Sequence, residues 1–397
     1  MKTLDGIDVS GKRVFIRVDF NVPLDKERKV KDDLRIRAVL PSIEKVLTGG
    51  GKAIVASHLG RPKGKAVPEF SLQPVALYLS DLLGRPVSMA PDCVGEEVKK
   101  MVSELQRGQV LLLENLRFHP EEEKDDENFS RQLAELCDIY VNDAFAVSHR
   151  AHASVHGITR FVPQCAAGYQ MEKELRYFHE AMEEPKRPVA MIVAGAKVST
   201  KIGLLGRLLE KADHLIIGGA MANTFLKAQG KSVGRSLVED DYMEQASRLM
   251  EAAAKKGVKV HLPVDAVAAP GLDNPEPVRQ VSVDQVPDDL QVLDVGPQSI
   301  EAFKEILQEC STVVWNGPVG AFETKPFHQG TFALARFLGD SKALTVVGGG
   351  DSASAVRQAG MADKVSYVST GGGAFLEMME GKILPGVQAL QDCMKKP

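Results

Sequence analysis

Residues 188–211 read PVAMIVAGAKVSTKIGLLGRLLEK. Pro188–Ala194 is an unbroken apolar run of strand length, and Ile202–Lys211 repeats apolar residues at helical spacing. Between them, Gly195-Ala196-Lys197-Val198-Ser199-Thr200-Lys201 supplies glycine, hydroxyls and two lysines. A strand, a short donor-rich loop and a helix make half of a βαβ unit. A strand without polar alternation is one covered on both faces, as in parallel sheets.

The same pattern recurs along the chain. Strand-like runs lie at Arg13–Phe20, Lys52–Ser57, Gln109–Leu113, Asp138–Val141, His214–Ile217, Thr312–Trp315, Ala343–Val347 and Lys364–Val368. Helical patterns lie at Leu34–Leu47, Leu72–Leu83, Glu96–Leu105, Phe129–Cys137, Tyr242–Lys256 and Ile300–Gln308. Alternation of this kind predicts an α/β protein with doubly wound, Rossmann-like parallel sheets. A single core rarely grows past about 250–300 residues, so a chain of 397 residues is expected to form two domains. The amphipathic stretch Gly168–Met182, followed by the polar break EEPKRP at 183–188, marks the boundary. The expected division is 1–167, a connecting helix at 168–183, and 184–384. The turn-rich segment Val281–Pro297, with its spaced valines, predicts a small β excursion.

Composition narrows the function. Hydrophobic residues are 44% and charged residues 26%, which excludes collagen-like, disordered and disulfide-scaffold classes. Lys+Arg total 49 against 53 Asp+Glu, a net charge of −4. No basic excess points to nucleic acid or an anionic membrane, so any anion site is a local cluster. The five cysteines are widely spaced and form no CxxC or Cys/His metal pattern, which predicts reduced thiols. The N-terminal MKTLDGIDVSGKRVFIRV has no apolar h-region, and no apolar run nears the ~18 residues a bilayer span needs. A cytoplasmic monomer is expected.

Open parallel sheets bind ligands beyond the carboxyl ends of their strands. In the first half those ends carry Asp19-Phe20-Asn21, His58-Leu59-Gly60-Arg61, Leu116-Arg117-Phe118-His119 and Ser148-His149-Arg150, and the helix at Leu34 opens with Arg35. Five of the nine histidines fall in residues 58–156. Arginine forks match phosphate and carboxylate bidentately. Any one of these arginines alone is more simply a surface residue paired to a nearby acid. Three at successive strand ends, with Arg35 opening the first helix, predict one crevice for a small polyanion.

The second half differs. Its strands lead into Gly195–Lys201, into Gly218-Gly219, into Asn316-Gly317-Pro318 with Glu323 beyond, into Gly348-Gly349-Gly350-Asp351-Ser352, and into Gly371-Gly372-Gly373. Glycine lets backbone approach phosphates, and helix N-termini offer free N–H groups. Lysine adds point charge, and a carboxylate such as Asp351 suits Mg2+. A nucleotide-phosphate site is the expectation. The P-loop pattern GxxxxGK[ST] is absent; at Gly51-Lys52 and Gly64-Lys65 alanine follows the lysine. The protein-kinase HRD and DFG set is absent as well. Gly348–Ala353 fits GxGxxG/A after a strand, but the next strand ends in Ser369-Thr370 without the acid a ribose would need. A dinucleotide-dependent oxidoreductase and a non-catalytic nucleotide-binding module remain the rivals.

Taken together, RVDFNVP (17–23), SHLGRPKG (57–64), LLLENLRFHPEEEK (111–124), SHRAHAS (148–154), GAKVSTKI (195–202), WNGPVGAFE (315–323), GGGDSASA (348–355) and STGGGAFLEMMEGK (369–382) resemble the phosphoglycerate kinases, collinearly and over nearly the whole chain. The resemblance implies a phosphoglycerate-binding N-terminal domain, to which residues 385–397 return, and a nucleotide-binding C-terminal domain, joined by a long helix with a hinge. It implies reversible Mg2+-dependent phosphoryl transfer in glycolysis between 1,3-bisphosphoglycerate and ADP, giving 3-phosphoglycerate and ATP. The implied substrate-binding positions are Asp19, Phe20, Asn21, Arg35, His58, Leu59, Gly60, Arg61, Arg117 and Arg150. The implied nucleotide positions are Lys197, Lys201, Gly218, Gly219, Asn316, Pro318, Glu323, Gly349, Gly350, Asp351 and Ser352. Arg35, Lys197 and Lys201 would be catalytic, and Asp351 would hold Mg2+ as the Mg-nucleotide complex. The chain departs at Ala146-Val147-Ser148, where the family often shows Gly-Thr-Ala, and at Ser352, where many members have Thr.

Overall fold

The computed structural model describes residues 2–395. The chain divides into two compact units. One comprises the residues through Leu175 together with the segment from Ile383 onward, and the other is Arg176–Lys382.

The first unit is built on strands β1 (Arg13–Arg17), β2 (Lys52–Ala56), β3 (Val87–Met89), β4 (Val110–Leu112), β5 (Ile139–Asn142) and β6 (Cys165–Ala167). Its helices are α1 (Leu34–Thr48), α2 (Gln73–Leu83), α3 (Glu96–Glu104), the short α4 (Pro120–Glu123) and α5 (Glu127–Glu135). The strands form one parallel sheet in the order β3-β4-β2-β1-β5-β6. The apolar runs explain the layering. Val14, Ile16, Val55, Leu112 and Val141 pack with Ile36, Val39 and Ile43 of α1 and Val75 and Leu79 of α2. The alternate residues Phe15, Ile54, Leu111 and Tyr140 are equally buried and face the opposite way because side chains alternate along a strand.

Helix α6 (Tyr169–Phe178) continues as a π-turn over His179–Glu183, with Glu184 N–H donating to the His179 carbonyl at 2.9 Å. The sequence predicts one unbroken helix here. The structure ends the regular helix at Phe178 instead.

The second unit contains β7 (Val189–Val193), α7 (Ile202–Leu208), β8 (His214–Ile217), α8 (Met221–Ala228), α9 (Met243–Lys255), β9 (Lys259–His261), β10 (Asp265–Ala269), β11 (Arg279–Ser282), β12 (Gln291–Val295), α10 (Pro297–Gln308), β13 (Thr312–Asn316), α11 (Gln329–Gly339), β14 (Leu344–Gly348), α12 (Gly350–Gln358), β15 (Tyr367–Val368) and α13 (Gly373–Met379). Its main sheet is parallel in the order β15-β14-β13-β7-β8-β9. The chain winds outward from β7 on one side, then outward from β13 on the other. The β7/β13 boundary is therefore a topological switch point, the place where such sheets bind ligands. The expected β excursion is a three-stranded antiparallel sheet, β11-β10-β12.

The last helix, α14 (Pro385–Met394), belongs to the first unit. Cys393 on α14 and Cys165 on β6 form a disulfide, with Cα atoms 6.0 Å apart. This corrects the expectation of wholly reduced thiols. The two cysteines are 228 residues apart, so only the fold reveals the pair. Cys93, Cys137 and Cys310 are free and buried. Among the described residues, no helix is long and apolar enough to cross a membrane.

Candidate active site

In the first unit the loops after β1, β2 and β4 are laced together by side chains. Arg35, in the first turn of α1, donates from Nη1 to Asp19 Oδ2 at 2.9 Å and to the Asn21 carbonyl at 3.1 Å. Asn21 Oδ1 accepts the Gly60 N–H at 2.9 Å. The Gly60 carbonyl in turn accepts from Arg117 Nη1 at 2.9 Å. His58 is buried with Nδ1 3.8 Å from Asp19 Oδ1. Asp19, Asn21, Arg35, His58, Gly60 and Arg117 thus form one connected cluster. Phe20 and Leu59 are buried and anchor the loops by packing. Arg61 is exposed beside Gly60. Arg150 joins through the field alone: its charge is among those acting on Arg117, while its Nε lies 3.2 Å from His149 Nε2.

The electrostatics favour an anion. Burial, with Arg17 and Arg150 adding to it, pushes the Arg117 guanidinium down to about 10. Burial, then Arg17, Arg117 and Arg35, push His58 well below its ordinary value. Burial and neighbouring arginines, Arg117 first, lower His152 to about 3. Packed cations that depress one another are relieved by a bound negative charge. The neighbouring imidazoles stay neutral.

Beneath this rim lies a support the sequence reading missed. Arg17 is fully buried, and its Nε donates to Ser154 Oγ at 2.8 Å. Ser154 donates from its hydroxyl (2.6 Å) and its N–H (2.9 Å) to the buried carboxylate of Glu122. Arg17 Nη2 also lies 3.4 Å from His58 Nδ1. Arg17 hides in a run that reads as plain strand, and Glu122 in a run of three glutamates that reads as a solvated face.

In the second unit the loops after β7, β13 and β14 converge at the switch point. Lys201 donates from Nζ to Asn316 Oδ1 at 2.6 Å and to the Ala194 carbonyl. Asn316 Nδ2 donates to the Gly348 carbonyl at 2.8 Å. Gly317 N–H donates to Ser352 Oγ at 2.6 Å. Burial lowers Lys201 to about 8, with the Asp351 carboxylate opposing it. Gly219 has φ +68°, and a Cβ there would stand 2.6 Å from Gly195 N. Gly317 has φ +94°, and a Cβ there would collide with the Ala194 carbonyl. Glycine is required at both for the loops to close together.

Beside this cluster opens a largely apolar cavity of about 410 Å³, walled by Gly219, Ala220, Leu226, Leu237, Leu272, Leu293, Pro318 and Val319, with Glu323 and Asp351 also lining it. Of the expected nucleotide positions, Gly219, Pro318, Glu323 and Asp351 line the cavity. Lys201, Asn316 and Ser352 form the hydrogen-bonded cluster beside it. Gly218 is buried next to Gly219, Gly349 and Gly350 open α12, and Lys197 is exposed. The leucine walls were not foreseen, because an apolar residue in a loop carries no local chemical signal. Glu239 was also missed. Its carboxylate accepts the Ser199 N–H at 2.9 Å and the Ser199 hydroxyl at 2.5 Å, which fixes the lysine loop.

A largely apolar cavity beside lysine, amide and hydroxyl groups at a sheet's switch point suits a nucleotide, base inward and phosphates at the loop. The phosphoglycerate kinase family model matches residues 4–382. The chain belongs to the phosphoglycerate kinase family. It is 68% identical to the phosphoglycerate kinase of Syntrophobacter fumaroxidans, over 99% of each chain. It is 55% identical to that of Desulfosudis oleivorans, over 98% of this chain and 99% of the other. Among solved structures, the phosphoglycerate kinase from Coxiella burnetii superposes with a TM-score of 0.90 at 41% identity, covering 99% of each chain. That from Pyrococcus horikoshii gives 0.87 at 30% identity over the full length of both. The family's two parallel sheets with flanking helices are those described above.

Proposed function

We propose that this chain catalyses reversible phosphoryl transfer between 1,3-bisphosphoglycerate and ADP, giving 3-phosphoglycerate and ATP. Family membership makes it a phosphotransferase of glycolysis. The observation that carries the substrate reading is the chemical difference between the two sites. One is a hydrogen-bonded, arginine-rich cluster, suited to a small acid phosphate. The other is an apolar cavity beside a lysine–amide–hydroxyl cluster, suited to a nucleotide.

The transferred group moves from the acyl oxygen to the terminal phosphate oxygen of ADP, or back. The attacking oxygen is anionic in both directions, so no general base is required. Catalysis then consists of in-line positioning and stabilisation of charge on the equatorial oxygens. Asp19, Asn21, His58, Arg61, Arg117 and Arg150 hold and orient the phosphoglycerate. Arg35, Lys197 and Lys201 meet the transferring group. Gly218, Gly219, Pro318 and Glu323 seat the base and ribose, while Asn316, Gly349, Gly350 and Ser352 shape the phosphate end. Asp351 is an exposed hard-oxygen donor on the first turn of α12, within the field of Lys201. It fits Mg2+, which would neutralise nucleotide phosphate charge there. Asp351→Ala is expected to weaken Mg-ADP binding about 10–100-fold and metal-free ADP far less. Equal losses in calorimetric titrations with and without Mg2+ would remove Asp351 from that role.

Lys201 gives a second expectation. Its ammonium is lost above about pH 8 in the free protein, and a bound phosphate draws the proton back. ADP affinity should therefore be full below pH 8 and fall above it by as much as about tenfold per pH unit. Lys201→Arg, which stays charged, should flatten that profile, and an unchanged slope in the variant would refute the assignment.

Transfer in a water-excluded site calls for substrate-induced closure. Small-angle scattering with both substrates should show a smaller radius of gyration than with neither, and an unchanged radius would count against closure. We take the protein to be a cytoplasmic monomer. The direct test combines ATP, Mg2+ and 3-phosphoglycerate, with hydroxylamine trapping the acyl phosphate. Hydroxamate that requires all three establishes the reaction. No product, with ADP binding retained, would reduce the protein to a nucleotide-binding module.

A further inference from the structure

The edge of the first unit's sheet carries a side-chain cluster that the transfer reaction does not use. Asp92 and Cys93 follow β3, and His119 follows β4 by way of the turn Leu116–Phe118. Met89 pairs with Leu112 across the two strands. Ala90 N–H donates to the Leu112 carbonyl at 2.9 Å, and Glu114 N–H to the Asp92 carbonyl at 3.4 Å. The two loops therefore leave the sheet edge side by side. One carboxylate oxygen of Asp92, the Cys93 sulfur and a ring nitrogen of His119 all lie within 4.8 Å of one another.

We propose that Asp92, Cys93 and His119 form a binding site for a borderline-soft divalent metal, Zn2+ in the first place, with water completing four-coordination. The donor set decides the metal. A thiolate, an imidazole and a carboxylate suit zinc, whereas Mg2+ and Ca2+ demand oxygen ligands throughout. An Asp–His contact, at 2.6 Å between Asp92 Oδ1 and His119 Nε2, accounts for two of the donors. The same Asp92 oxygen accepts the Cys93 N–H at 2.6 Å and the wholly buried Cys93 thiol is hydrogen-bonded to Asp92, so all three donors already converge on one carboxylate. The imidazole is steered by Phe129, on which it stacks with centroids 5.2 Å apart. Cys93 forms the floor, while the side chains of Asp92 and His119 are 47% and 27% exposed, which leaves an open side for entry. Zinc–ligand bonds of about 2.0–2.3 Å are reached when the exposed Asp–His pair parts to admit the ion. The thiol proton passes to solvent as the thiolate binds, and His119 binds as a neutral imidazole through Nε2 with its remaining proton on Nδ1, so that only an imidazolium would release a second proton; nothing is oxidised or reduced. The bound ion would join the two loops beyond β3, a strand of only three residues.

The test uses the full-length protein without an affinity tag and Co2+ as the spectroscopic probe. One equivalent should bind with a near-ultraviolet thiolate-to-cobalt charge-transfer band, and Zn2+ should abolish the band. Outer-shell changes alone cost about 10–100-fold in metal affinity, so His119→Ala is expected to cost at least about 100-fold. Cys93→Ser should remove the band. Should Cys93→Ser fail to fold, His119→Ala and Asp92→Asn carry the test. His214→Ala should leave the band intact. That variant tests the other imidazole pair, His214 and His261, whose facing nitrogens are 3.0 Å apart. Binding without the thiolate band, a band that survives Cys93→Ser or His119→Ala, or no stoichiometric binding at all would overturn the proposal.

Discussion

Replacing Arg35 with alanine is expected to lower kcat about 10²–10³-fold, as loss of one preorganised donor to developing charge does elsewhere, while ADP affinity stays within about twofold. The geometry supplies the reason for the split. Arg35 is tied through one nitrogen to Asp19 and the Asn21 carbonyl, and its side chain is 36% exposed, so the rest of the fork is available to an incoming phosphoryl oxygen. All the nucleotide groups proposed above lie in the other unit. The substitution also frees Asp19, so the KM for 3-phosphoglycerate should rise severalfold as the loop after β1 loosens. Arg35→Lys keeps the charge but not the planar fork and should recover only part of kcat. Steady-state kinetics in both substrates and calorimetric ADP binding read these quantities separately. A large loss of ADP affinity, or a rise in KM with kcat untouched, would show that Arg35 does not meet the transferring group.

The strands that read clearly from the sequence are those with continuous β-branched or leucine runs, such as Val14–Ile16 and Val313–Val314, because burial on both faces leaves no other composition. The strands not foreseen have none of that signal. β3 is Val-Ser-Met and β6 is Cys-Ala-Ala, and their pairing comes from the sheet they join. The polar loops were legible because glycine, lysine and arginine gathered at the ends of parallel strands are the groups that bind anions there. The apolar cavity walls, the hold of Glu239 on Ser199 and the Cys165–Cys393 bond were not, because each depends on segments brought together only by the fold. The three glutamates 121–123 show the same limit. They read alike, yet Glu122 is fully buried while Glu123 pairs with Arg117 from a half-exposed position.

That buried glutamate underlies the second large effect. Near pH 8, Arg17→Met is expected to destabilise the first unit by about 3–5 kcal/mol, the usual cost of stranding one member of a buried charged network. The wild-type Glu122 carboxyl is already pushed upward by burial, with Arg17 as the first counterweight and the Ser154 bonds next. Without Arg17 the folded protein should hold the Glu122 proton to higher pH, whereas the unfolded chain still releases it near 4.5. Unfolding then releases a proton over that interval, so stability falls as pH rises. The penalty of Arg17→Met should consequently be small near pH 5 and large near pH 8. A double variant, Arg17→Met with Glu122→Gln, keeps a hydrogen-bonding partner for Ser154 without the charge and should regain part of the loss at pH 8 but little at pH 5. Calorimetric unfolding of the wild type, Arg17→Met, Glu122→Gln and the double variant at both pH values completes the cycle. Additive losses that do not change with pH would mean that Arg17 acts only through packing. In that case the arginine rim would not rest on a charged support.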